Sequence, residues 1–472
     1  MKILPTTWPS WLLGSILTLF GAAAVAKFGI LGFSSIIGLC IFLVLVYLTV
    51  RSPRFGLLAV VFLLPFERVG SVDIAGFTLR SSQVFGGLTL VAWLLLLLTR
   101  KRWSFRPNPT FWLGVLFLLI ALVSISQAEN AFRATTVWVF VAFTVIVSWL
   151  VPQLIRGRND LDKLITILFV STSIIGVFGL YQFMGDLVGL PPSLTGLRDL
   201  YTSDVFGFPR IQSTFLEPLY YANFLLIPLS LALVFVLSGK GKQSRLFLVA
   251  FILLLGVNFV LTLSRGAYIS FAVMLMILAL VYWKKVFTPH WIVLGVVVAL
   301  IVGWGAVQFL GLSGDTQESV DTFTKQATDI FSGASYFDRA ETFTQAWDLF
   351  QAHPYLGVGV GNFGPAVADI ALVQPPNGWL IVNNEFLELL AETGLLGFFA
   401  YLSLLVVLFW RSIKAIRYSR DPYLRAVMFA LLLAFIGILI QYNTFSILFI
   451  MHIWFLFGLM VAVQNISLQK QS

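Results

Sequence analysis

An all-α, polytopic membrane fold is predicted by composition, by segment length and by the lack of strand periodicity. Of 472 residues 59% are hydrophobic and only 11% charged, with a mean hydropathy of +0.94. Soluble domains carry about 25% charged residues, so lipid must solvate much of this surface. Fourteen apolar stretches fall near 10–26, 29–50, 55–66, 83–99, 111–127, 136–154, 163–185, 216–237, 246–263, 266–283, 291–312, 394–410, 425–443 and 446–464. Most can cross a hydrocarbon core of about 30 Å as a helix, and about 12–14 transmembrane helices are expected. The stretch at 55–66 is short and carries Pro65. Alternating apolar and polar runs of strand length, which a transmembrane barrel requires, are absent.

The stretches divide the chain into transmembrane helices over 1–312, a polar segment at 313–393, and three last helices over 394–472. The first stretch ends in Ala24-Val25-Ala26, a small-residue pattern like a cleavage site. A single basic residue before it, Lys2, and an apolar length of about seventeen favour a retained anchor. The one cysteine, Cys40, lies in an apolar run and reads as a small core residue.

Charge fixes the expected orientation. With the N-terminus in the cytoplasm, the inside connections hold 21 of the 30 basic residues and only Asp160, Asp162 and Asp421 of the acids. That follows the positive-inside rule, which counts lysine and arginine. Both termini are then cytoplasmic, and 313–393 is a large periplasmic loop. The net charge of +9 is a topology signal with affinity for anionic lipid heads. Nucleic acid is not an expected partner.

Nine basic residues lie outside against this bias: Lys27, Arg68, Arg80, Arg133, Arg198, Arg210, Arg265, Lys325 and Arg339. Arg265 interrupts FVLTLSRGAYISFAV at 259–273, where Ser264 adds a donor and Gly266 permits close backbone approach. Arg210 precedes IQSTFLEPLYYANF, whose Glu217-Pro218 is either a helix-start signal or part of a site. Two outward guanidinium groups at span ends suit a diphosphate, because they bind its oxygens bidentately.

Within the loop, SYFDRAETFTQAWDLFQAHP at 335–354 has helical spacing of Ala340, Phe343, Trp347 and Phe350, with Ser335 to cap and Pro354 to end it. It reads as an amphipathic helix with Arg339 in its first turn, where the helix dipole disfavours a cation. GVGNFG at 359–364 fits the dinucleotide glycine pattern literally but lacks the strand and the βαβ unit. A tight turn, packing closely or facing a ligand with its amides, is the better reading. The three histidines form no cluster with the lone cysteine, so neither a metal nor a cofactor is expected.

The order of parts resembles the O-antigen ligase and Wzy-type O-antigen polymerase superfamily. TFLEP follows an outer loop, LTLSRGA sits at a span junction, and the large loop carries HPYLGVGVGNF and closes in VNNEFLELLAETGLLG. The resemblance covers roughly 205–400. It implies a GT-C-like membrane glycosyltransferase of the bacterial inner membrane that takes a saccharide from an undecaprenyl diphosphate carrier. The acceptor would be lipid A core, a growing glycan or a protein. Arg210 and Arg265 would hold the diphosphate as leaving group, with Arg339 helping from the loop.

Ligases of that family carry a histidine immediately before the asparagine of the closing motif. Here Asn383 stands there, followed by Asn384. An amide positions a hydroxyl but takes no proton at neutral pH. Glu385, Glu388, Glu392 or His353 is then the substitute base, or leaving-group activation suffices. Asn383 and Glu388 join the two arginines as catalytic candidates, with Arg339, Glu217, Asn384 and Ser264 as substrate-binding ones. A multi-span transporter of an anionic solute is the alternative reading.

Overall fold

A computed structural model describes residues 38, 42–74, 77–99, 105, 108–286, 334–369 and 379–468. The expected spans at 10–26 and 291–312, most of 29–50, and Cys40, Lys27 and Lys325 lie outside the described residues. Among those described, the chain is almost wholly helical, with one antiparallel hairpin, β1 (Val72–Ile74) and β2 (Phe77–Leu79).

The helices that matter here are α1 (Pro53–Leu63), α2 (Ser81–Thr99), α3 (Pro109–Ser124), α4 (Ala131–Leu154) and α5 (Arg158–Leu187). They continue as α6 (Pro218–Ser238), α7 (Arg245–Leu261), α8 (Arg265–Val281), α9 (Ala334–Ala352), α10 (Glu385–Tyr418), α11 (Pro422–Gln441) and α12 (Met451–Leu468). Eight are long and apolar enough to cross a membrane, and α1, α7, α8 and Phe42–Arg51 are shorter apolar helices. The chain is a polytopic membrane protein of the all-α class, the one short hairpin aside.

Burial sorts the helices into a centre and a wall. In α6 and α12, 83% of the apolar window is buried, against 33% in the span that begins with α3. The first two form the core of the bundle and α3 faces lipid. Lipid tails are as apolar as leucine, so the bundle is held by close packing and interhelical hydrogen bonds. A side chain at Gly458 of α12 would collide with the Ser148 carbonyl of α4, so these backbones touch. His452 Nε2 shares a 2.8 Å hydrogen bond with Asn223 Oδ1, and Asn223 Nδ2 donates to Gln441 Oε1 at 2.9 Å. Those bonds tie α12, α6 and α11 together in the interior.

Basic residues collect at one end of the bundle. There Arg158 of α5 pairs with Asp421 at 3.3 Å and lies 4.4 Å from the Tyr423 ring of α11. Lys242 pairs with Asp162, and Arg54 with Asp160 at 4.0 Å. The opposite ends of the same helices carry the outward arginines.

The loop helix α9 forms where its periodicity predicts, with a shifted inner face. Ala346 is buried, Phe343 and Leu349 pack beside it, and together with Phe363, Val367, Val382 and Ala391 they make a second small core. Trp347, placed on the apolar stripe by spacing, is 47% exposed and pairs with the Phe350 ring instead. Spacing identified the helix, but the position of the glycine loop decides which of its faces is covered.

Candidate functional site

The arginine end is built around two turns that pack on each other. Ile211 N donates to Leu261 O at 3.1 Å, joining the entrance of α6 to the α7–α8 junction. Arg210, half-buried, donates from Nε to Thr262 O and from Nη2 to Leu263 O, each at 3.4 Å, with its guanidinium 5.7 Å from the Tyr201 ring. Both turns hold a non-glycine residue in the left-handed region, Ser213 at φ 50° and Leu263 at φ 49°. Such positions cost roughly 1–3 kcal/mol each and persist only where the surroundings enforce them. Gln182 enforces the first: its Oε1 accepts from Ser213 N at 2.8 Å, its Nε2 donates to Ser213 O at 3.1 Å, and Ser213 Oγ donates to Ile175 O at 2.7 Å.

Leu263 turns the chain so that Arg265 opens α8 as an exposed residue beside Arg210. Ser264 occupies the N-cap but makes no capping bond with its side chain. The first-turn amides of α8, which lack intrahelical acceptors, are therefore not satisfied by it. Two guanidinium groups and a positive helix end converge on one spot, an arrangement suited to an anion. Burial pushes the Arg210 guanidinium below its ordinary value; the neighbouring Tyr201 and Tyr268 oppose this and Arg265 adds to it.

Sequence reasoning missed how many further charges gather here. Glu67, buried, pairs with Arg80 at 3.9 Å. Arg68 donates from its amide to Thr214 O at 3.0 Å and from Nη1 to Gly196 O at 2.8 Å. Arg198 donates to Leu216 O at 3.3 Å and lies 5.8 Å from the Tyr201 ring. Glu217 holds the N-cap position of α6 without capping it. Burial raises the Glu217 carboxyl above the ordinary carboxylate range, with Arg198 and Arg210 pulling it down. Burial likewise raises Glu67, against the pull of Arg80. Arg80 thus faces Glu67, and Arg198 and Arg210 face Glu217, with Arg68 and Arg265 beside those arginines. The signal was present in the tally of outward arginines, but nothing in the spacing joined residues 67–80 to residues 198–217.

The closing motif is held by its own carboxylates. Asn384 Oδ1 accepts from Phe386 N and Leu387 N, both at 3.1 Å, and so caps α10. Asn383, at φ 59°, points the chain into that cap and donates its amide to Ser446 Oγ at 3.1 Å. Glu388 Oε2 accepts from Val382 N at 2.8 Å and from the Ser446 hydroxyl. Glu392 accepts from Gly361 N at 2.6 Å and from Phe363 N at 3.0 Å. The glycine loop therefore offers its amides to Glu392 rather than to a nucleotide. Arg133 closes it from outside, donating from Nε to Gly361 O at 2.6 Å with Trp379 5.7 Å away.

α10 bends sharply at Gly394, whose φ 61° and ψ −167° are not helical. Glu385–Thr393 belongs to the site, and the remainder of the helix runs on as the span. Arg339 lies in the second turn of α9, not the first as expected, because the helix already begins at Ala334, and its side chain is outside the described residues. His353 is exposed at the end of the same helix. Among the described residues no group of three or more His, Cys, Asp or Glu could hold a metal.

A short segment after α11 joins the two halves. Tyr442 O accepts from Glu385 N at 2.8 Å, and the Phe386 ring meets Tyr442 edge-on at 5.8 Å. On the other side, Thr444 lies where a side chain at Gly266 would fall, and Phe445 packs 6.2 Å from Tyr220. Ser446, between these contacts, holds Asn383 and Glu388. The close approach expected at Gly266 is thus made to Thr444.

Residues 248–402, about a third of the chain, match the family model described as O-antigen ligase. The match runs from α7 through the loop into α10, so it contains Arg265, Arg339, Asn383 and Glu388. Arg210 and Glu217 lie before it, and Arg210 packs against it through Thr262 and Leu263. No curated protein matches the chain.

Proposed function

We infer that this multi-pass protein, whose residues 248–402 match the O-antigen ligase family model, is a glycosyl-transferring enzyme of that superfamily and transfers a saccharide from an undecaprenyl diphosphate carrier to an acceptor hydroxyl. The reaction runs at the periplasmic face of the inner membrane, with both termini cytoplasmic and a GT-C-like helical frame around it. It is inverting, as ligase or as polymerase.

The observation that carries this reading is the α7–α8 junction. Arg210 is anchored to the carbonyls of Thr262 and Leu263, and Arg265 emerges two residues later at a helix N-terminus. A lipid-linked diphosphate lies at this depth, where its isoprenoid enters the bilayer. As the glycosidic bond breaks, negative charge grows on the departing diphosphate. Fixed cations facing that charge lower the barrier more than they lower the ground state. Asn383, Asn384 and Arg339 bound the opposite, loop side, along which the donor glycan extends.

The test is turnover. Full-length protein in proteoliposomes is given undecaprenyl diphosphate-linked glycan extracted from the host membrane. Free undecaprenyl diphosphate and elongated or transferred glycan are measured. Wild type should release the carrier, and Arg265→Ala should slow release about 10²–10³-fold, the usual loss for one charge-stabilising donor. Absence of turnover in the wild type, with solute flux in its place, would support the carrier reading.

A further inference from the structure

If the transferase reading holds, the reaction needs a group to take the acceptor's proton, and the closing motif has no carboxylate that is both uncommitted and accessible. Glu392 is committed to two loop amides and Glu388 to Val382 and Ser446. Glu385 keeps one carboxylate oxygen without a hydrogen-bond partner, but it is 3% exposed and shut beneath the motif, away from an acceptor. Asn383 takes no proton. Glu217 differs from all of these. Among the described residues its carboxylate accepts no hydrogen bond and has no cation within ion-pair distance, although it stands at the N-cap of α6. It is half-buried, so it is reachable from the outer face. Arg210, the anchored half of the arginine pair, is within its electrostatic reach.

We propose that Glu217 is the general base of the transfer, accepting the proton of the acceptor hydroxyl as that oxygen attacks the anomeric carbon. The new glycosidic C–O bond forms while the bond from the anomeric carbon to the diphosphate oxygen breaks. The electron pair leaves on undecaprenyl diphosphate, facing Arg210 and Arg265, and the proton passes from Glu217 to solvent. The surroundings poise the carboxylate for this task. Arg198 and Arg210 face it from the 188–217 connection, and Glu67, with its partner Arg80, from the segment between α1 and α2. Tyr201 and, from α6 itself, Tyr220 complete the set of titratable neighbours. Burial raises the carboxyl above the ordinary carboxylate range, which makes its ionised form a stronger base.

Azide separates this role from donor binding, because it attacks carbon without needing deprotonation. In the proteoliposome assay, Glu217→Gln should lose acceptor-dependent transfer by about 10²–10⁴-fold. Release of undecaprenyl diphosphate driven by sodium azide should be retained. The wild-type acid limb of kcat/KM should lie above the ordinary glutamate value of about 4.3. Full transfer by Glu217→Gln would overturn the proposal, as would equal loss of both reactions in a folded variant or a wild-type profile with no acid limb. Failure of the wild type with either nucleophile would instead sink the transferase reading itself.

Discussion

Glu392→Ala tests the assembly of the loop most directly. The carboxylate is 7% exposed and each oxygen accepts a different backbone amide, Gly361 N at 2.6 Å and Phe363 N at 3.0 Å. Hydrogen bonds to a charged acceptor contribute about 1.5–3 kcal/mol each, so deletion costs about 3–6 kcal/mol before water enters. Hydration of the vacated site brings the expected loss to the lower end, about 3 kcal/mol. At about 1.4 kcal/mol per factor of ten, that is roughly a hundredfold rise in local opening. Glu392→Gln should fall between, because its amide nitrogen cannot accept the second bond. The assay is hydrogen exchange by mass spectrometry on full-length protein in detergent, following peptides over residues 355–364. Unchanged protection there in Glu392→Ala would refute the reasoning, since no other group takes over both amides. A collapse of the whole fold would refute it too, because α9, α10 and the glycine loop form a small core separate from the main bundle.

Two further outcomes follow from geometry and burial. Burial holds the folded Glu67 carboxyl above its unfolded value, so its contribution is fully present below about pH 4.3 and is lost as pH rises through the raised value. Glu67→Gln should therefore flatten the fall of Tm with pH above that point, and an unaltered slope would show that the term lies elsewhere. Gly394→Ala places a side chain into the Tyr355 backbone at a φ, ψ combination that only glycine adopts readily. It should cost about 3 kcal/mol or more and lower the yield of monodisperse protein, with detergent-extracted Tm as the readout.

Much of the fold was legible because apolar length is a strong signal in a membrane chain. Every expected span within the described residues has a helix at its place, and even 55–66, with Pro65, forms α1 once the helix stops at Leu63. Helix boundaries at Pro109, Pro218 and Pro422 follow from proline at the first turn. The arginine pair was legible because charge in an apolar run is costly and therefore conspicuous. What spacing did not reveal was partnership. Glu392 looked like a candidate base, but only the folded loop shows the two amides that occupy it. Asn384 looked like a ligand and is found capping a helix. Ser446 carried no signal, being one hydroxyl in an apolar segment, and its importance arises from the bend that brings α11 back to α12. The Glu67–Arg80 pair was hidden for the same reason, since its neighbours are more than a hundred residues away in the chain.

The turn at 442–446 alters what counts as a transferable part of this protein. The family match ends at residue 402, which suggests a self-contained cassette of α7, α8 and the loop. Yet the closing motif is bolted to Tyr442 and Ser446, and α8 rests on Thr444. A loop grafted from a relative would arrive without the surface that sets its register. The interchangeable unit is therefore loop plus turn, and any change to the loop's seat has to alter two distant stretches of the chain in step.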